Sequence, residues 1–130
     1  MTDIMEGAEA FRFEAEGRPA VLVLHGFTGT TQSMRYLGEQ LHRRFGFFVY
    51  GPRLAGHGTS PDDMATTGCL DWLGTAEAAL EEMAAAHGRV FVAGLSMGGT
   101  LCLTLAARFP GRVAGIVPIN GCGGRLGAAM

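Results

Sequence analysis

The chain has 130 residues, room for one compact domain rather than two. Apolar residues make up 48% and charged residues 17%, which suits a packed core and excludes a disordered chain. A net charge of −2 gives no electrostatic footprint for nucleic acid or anionic lipid. All 10 basic residues are Arg, so chemistry that needs a lysine amine is excluded.

The N-terminus, MTDIMEGAEAF, carries acids and neither a basic n-region nor an apolar h-region. No signal peptide is therefore expected, the default location is a reducing cytoplasm, and residues 1–10 read as a loose arm. From Phe11 to Glu16 aromatic or small residues alternate with charged ones, as in a half-exposed strand, and Gly17-Arg18-Pro19 reads as a turn. Ala20 to Leu24 (AVLVL) is apolar without alternation, the mark of a parallel strand covered on both faces. His25-Gly26-Phe27-Thr28-Gly29 follows as a loop, and Thr30 or Thr31 can cap a helix carrying Met34, Leu37, Leu41 and Phe45, with Gly46 placed to end it.

Phe47 to Tyr50 predicts a short strand, and the stretch Gly51 to Gly68, with two prolines and several glycines, a long loop. Leu70, Leu73, Leu80 and Met83 mark an amphipathic helix stopped at Gly88. Val90 to Ala107 is uncharged and long enough to raise a membrane helix. Its central Gly94, Ser96, Gly98 and Gly99 instead divide it into a buried strand, Val90–Ala93, and a helix, Met97–Phe109, apolar nearly all round. Val113 to Ile119 predicts a further strand, and residues 121–130 read as a Gly-rich, unstructured tail behind a domain spanning 11–120. A strand followed by β-α-β-α-β-α-β implies a mostly parallel sheet with helices on both faces and ligand-binding loops at the strands' C-terminal edge.

Gly94-Leu95-Ser96-Met97-Gly98 matches GxSxG, which forces a serine onto the tip of a sharp strand-to-helix turn. Glycines two before and two after remove Cβ atoms that would clash there, and the following helix aims its free N–H groups at the reacting centre. With only three serines in the chain the pentapeptide alone is a weak signal. The strand VFVA before it and the buried helix after it supply the context it requires. The HGxxG loop after AVLVL offers a second set of backbone donors. Ser96 is thus the candidate nucleophile, the backbone N–H groups of Phe27 and Met97 the candidate oxyanion hole, and His25, Gly26, Gly94 and Gly98 its supporting residues.

These motifs, together with VLVLHGFTGT, Gly56-His57-Gly58, Asp71-Trp72 and VAGLSMGGTL, resemble the N-terminal half of an α/β-hydrolase, similar to bacterial carboxylesterases and monoacylglycerol-lipase-like enzymes, from about Phe11 to Ile119. The resemblance implies a truncated α/β-hydrolase fold and a serine hydrolase of small-molecule carboxylic esters working through an acyl-enzyme on Ser96, with no metal or organic cofactor. Thioesterase, acyltransferase and aminopeptidase share the same elbow. The family's acid and His, and the cap, lie downstream of the last strand seen here. The alternative is therefore a catalytically inactive chain, or one needing a partner that carries the C-terminal half or self-associating.

Among local histidines, His25 is expected to brace its loop and His57 to hold the Gly-rich turn, with His42 and His87 at helix C-termini. Asp62 and Asp63 read as loop or N-cap residues, and Trp72 as packing. Cys69, Cys102 and Cys122 are odd in number with no CxxC, so neither a zinc knuckle nor a disulfide framework is indicated.

Overall fold

The computed structural model describes residues 3–16 and 19–122. The elements run β1 (Phe11–Phe13), β2 (Ala20–Leu24), α1 (Gln32–Phe45), β3 (Phe48–Gly51), α2 (Pro61–Ala65), α3 (Cys69–His87), β4 (Val90–Leu95), α4 (Met97–Arg108) and β5 (Val113–Ile119). They form one sheet in the order β1-β3-β2-β4-β5, parallel except for β1. All five residues of β2 are buried, as an uninterrupted apolar run in a central parallel strand must be.

Each face of the sheet has its own core. On one face Leu22, Leu24, Val90 and Val92 meet Leu80 and Met83 of α3 and Leu101 and Leu105 of α4. On the other, Val21, Val23, Val49 and Ala93 pack under Met34 of α1. That second face is incompletely covered. Phe91, Val117 and Ile119 are 43%, 57% and 37% exposed, and β5 borders the sheet.

Glycine sets two helix ends as expected. Gly46 adopts φ 72° and Gly88 φ 77°, conformations that cost an L side chain energy. Four expectations need correction. The Gly51–Gly68 loop contains the short helix α2, whose N-cap is Ser60: its hydroxyl accepts from the Asp63 N–H at 3.1 Å, and Pro61 opens the first turn. Asp62 and Asp63 therefore sit in a first helical turn, not at a cap. β1 stops at Phe13, because only three residues find partners on β3. Between Met5 and Glu9 the segment before β1 is tied down rather than loose: Ala8 is buried, the Met5 N–H donates to Gly58 O at 2.7 Å, and the Thr31 hydroxyl donates to Glu9 O at 2.6 Å. The turn at Gly17-Arg18 and the tail 123–130 lie outside the described residues.

The run from Val90 to Ala107 divides into β4 and α4, and no described helix is long and apolar enough to cross a membrane. No group of three or more His, Cys, Asp or Glu among the described residues could hold a metal ion.

Candidate active site

Strands β2 and β4 lie side by side with Leu24 opposite Gly94, so the loops that follow them leave the same edge together. Ser96 occupies the turn between β4 and α4 at φ 55°, ψ −116°, a region that non-glycine residues rarely enter, and is exposed. Its N–H donates to Ile119 O at 2.7 Å, which ties the turn to the end of β5.

The glycines around it explain how the chain tolerates this turn. A Cβ on Gly98 would run into the carbonyl oxygens of Leu24 and His25, and one on Gly94 into the Gly98 carbonyl and the Cys102 sulfur. A Cβ on Gly26 would lie 3.2 Å from Leu95 O and 3.5 Å from Ser96 Cβ. The HG loop and the serine turn are therefore in backbone contact, and glycine is what permits the approach.

Both candidate donors sit in peptide planes whose carbonyls are held. Gly26 O accepts from the Gly29 N–H at 3.1 Å and lies 2.9 Å from His25 Nδ1. The Gly26–Phe27 peptide is planar and trans, so anchoring its oxygen fixes the opposite direction of the Phe27 N–H. The Gly26–Gly29 turn carries Thr28 at φ 62°, where glycine is the usual occupant. Likewise Ser96 O accepts from Gly99 and Thr100 N–H at 2.8 and 3.2 Å. The Met97 N–H, first in α4, then points out of the helix end with no intrahelical acceptor.

His25 is fully buried. Its Nε2 accepts from the Leu54 N–H at 3.1 Å, so the proton of the neutral ring resides on Nδ1 and is donated to Gly26 O. Burial is the main cause that lowers its pKa to about 4; the bond to Gly26 opposes this, while His57 and Arg53 reinforce it. Both ring nitrogens are thus engaged with backbone, and the neutral ring braces the HG loop against Leu54.

His57 is also buried, with Nδ1 3.1 Å from Ala55 O, and glycines with positive φ flank it at 56 and 58. Its ring packs 5.1 Å from His25, 5.4 Å from Trp72 and 6.1 Å from Phe27. It thus holds the Gly-rich turn and also props the residue beside the Phe27 N–H. His42, bonded to Phe47 O, and His87, against Phe48, lie at the opposite end of the strands from Ser96.

Ser96 opens into a cavity of about 510 Å³ whose walls include Leu70, Trp72, Met97 and Leu101. Trp72, expected as packing, also bonds Thr67 through its indole N–H at 3.0 Å and faces this cavity. Nothing local in the sequence signals that. The His25–Leu54 bond, between residues 29 apart, was equally invisible.

The alpha/beta hydrolase fold family matches residues 19–126. The chain belongs to that family. It is 46% identical over 117 residues to a thermostable monoacylglycerol lipase of Bacillus sp. (strain H-257), covering 90% of this chain and 46% of that protein. It is 38% identical over 104 residues to a carboxylesterase of Bacillus subtilis (strain 168), covering 79% and 41%. A metagenome-derived lipolytic enzyme superposes with a TM-score of 0.86 at 44% identity, over 92% of this chain and 48% of that one. The chain spans about half the length of these relatives. The thioesterase domain of the curacin pathway, at 20% identity and a TM-score of 0.74, shares the fold.

Proposed function

We propose that these residues supply the nucleophile and the oxyanion hole of a serine hydrolase of carboxylic esters. Ser96 Oγ attacks the ester carbonyl as a histidine takes its proton. The Phe27 and Met97 N–H groups hold the tetrahedral oxyanion, the alcohol leaves with the proton, and water then hydrolyses the acyl-enzyme. The observation that carries this reading is Ser96 at positive φ between a strand and a helix, in backbone contact with the HG loop. The apolar cavity beside it suits the acyl chain of an ester. The kinship with a monoacylglycerol lipase and a carboxylesterase points the same way.

On this reading the general base is not one of the four local histidines. His25 is locked, His57 is enclosed by rings and lines a different cavity from Ser96, and His42 and His87 are at the wrong end of the sheet. The acid and base are supplied by further polypeptide, in the same protein or in a partner. The bare sheet surface at Phe91, Val117 and Ile119 and the border position of β5 favour a partner that adds a strand and a helix there.

The test is hydrolysis of p-nitrophenyl butyrate by the 130-residue chain with and without the C-terminal half of the Bacillus carboxylesterase. Turnover is expected only with both parts, and Ser96→Ala abolishes it. Turnover by the chain alone at the rate of an intact relative, or turnover that survives Ser96→Ala, refutes the proposal.

A further inference from the structure

We propose that Cys69 and Cys122 form a thiol modification site through which small disulfides close the Ser96 cavity. The two residues come from distant parts of the chain, the first residue of α3 and the segment after β5. Both are exposed, and both line the same cavity as Ser96 and Trp72. Cys122 is held against α4 by two bonds: its N–H donates to Thr100 Oγ1 at 3.0 Å, and that hydroxyl donates to Cys122 O at 3.2 Å. These bonds fix the Cys122 backbone beside the cavity. Cys102 is the internal contrast: it is buried beneath the serine turn, and desolvation pushes its thiol up to about 12.

The chemistry is exchange. The thiolate of Cys69 or Cys122 attacks one sulfur of a disulfide RSSR, the S–S bond breaks, a Cys–S–S–R bond forms and RS⁻ leaves. No further oxidant is needed, and dithiothreitol reverses the step. The consequence for catalysis rests on the role proposed for Ser96, but the occlusion itself is measurable without turnover.

Trp72 is the only tryptophan and lies in the cavity wall, so its emission reports the adduct. Dithionitrobenzoate is expected to titrate two thiols in the native chain and the third only in guanidinium. Trp72 lies on the same helix as Cys69, so the deciding variant is Cys69→Ser, in which Cys122 is the remaining exposed thiol. There the thionitrobenzoate adduct should quench Trp72 and shield it from acrylamide, with full recovery in dithiothreitol. Cys122→Ser should retain one native-state thiol, and the double variant none. An adduct on Cys122 that leaves both Trp72 emission and acrylamide quenching unchanged overturns the proposal, as does Cys102 reacting as fast as the other two.

Discussion

His25 should make this protein acid-sensitive in a definite pH window. Its imidazole is held neutral in the folded chain, with a pKa near 4 against about 6.5 when unfolded, mainly because burial opposes the charged form. Between these values the unfolded chain binds a proton that the folded chain refuses. The contribution is therefore fully present above pH 6.5, falls as the pH drops from 6.5 towards 4, and is level below that. At 1.36 kcal/mol per pH unit, the window removes on the order of 3 kcal/mol, a large share of the ~5–15 kcal/mol that holds a domain together. The measurement is a difference, in which contributions common to both chains cancel. Urea unfolding of the wild type and of His25→Gln is followed from pH 7.5 to 4. The variant starts lower, because it lacks the ring that joins the Leu54 N–H to Gly26 O, but its stability should decline less steeply. Parallel stability curves, or a ring proton of His25 that titrates near 6.5 by NMR, would refute the reasoning.

Gly98→Ala should cost about 1–3 kcal/mol or more in urea unfolding, since its Cβ meets backbone oxygens that cannot move aside. Gly74→Ala, where nothing lies within 4 Å inside α3, should instead stabilise by roughly 0.5–1 kcal/mol. Ser96→Gly should remove the nucleophile yet raise stability by about 1 kcal/mol, because glycine relieves the strain at φ 55°; a less stable variant would show that the turn is unstrained. The isolated chain should self-associate and bind a hydrophobic dye through Phe91, Val117 and Ile119, and a sharp monomer peak without dye binding would contradict this.

The parts of this fold that were legible are those whose cause is local. AVLVL reads as a buried parallel strand, Gly46 and Gly88 as helix stops, and GLSMG between a strand and a helix as a strained turn, because each follows from residues within a few positions. Helix α2 was also locally encoded, in Ser60-Pro61-Asp62-Asp63, but the glycines and prolines around it argued for an uninterrupted loop. What could not be read is what depends on distant partners. β1 ends where β3 stops pairing with it, and Leu70, at a helical spacing that suggested a core position, is 79% exposed. The bare apolar surface lies at Phe91, Val117 and Ile119 on the face of the sheet opposite α4, which buries Leu101, Cys102 and Leu105.

The same division between local and distant causes runs through the candidate site. Directing an N–H requires only that the carbonyl of its own peptide be fixed, and a chain can do that with neighbours: Gly29 and His25 for Phe27, Gly99 and Thr100 for Met97. The long-range bond from the Leu54 N–H to His25 Nε2 serves to choose the tautomer that makes the local bond possible. A general base has no such local solution, since it must approach Ser96 Oγ from outside the strand-turn-helix that presents it. On the proposed reading the described residues therefore hold the electrostatic part of catalysis, where one oxyanion donor is worth about 2.7–4 kcal/mol, while the proton-transfer part must come from chain that packs against the open side of β5. On that reading the donors can be preorganised here while Ser96, until a base reaches it, remains a weak nucleophile.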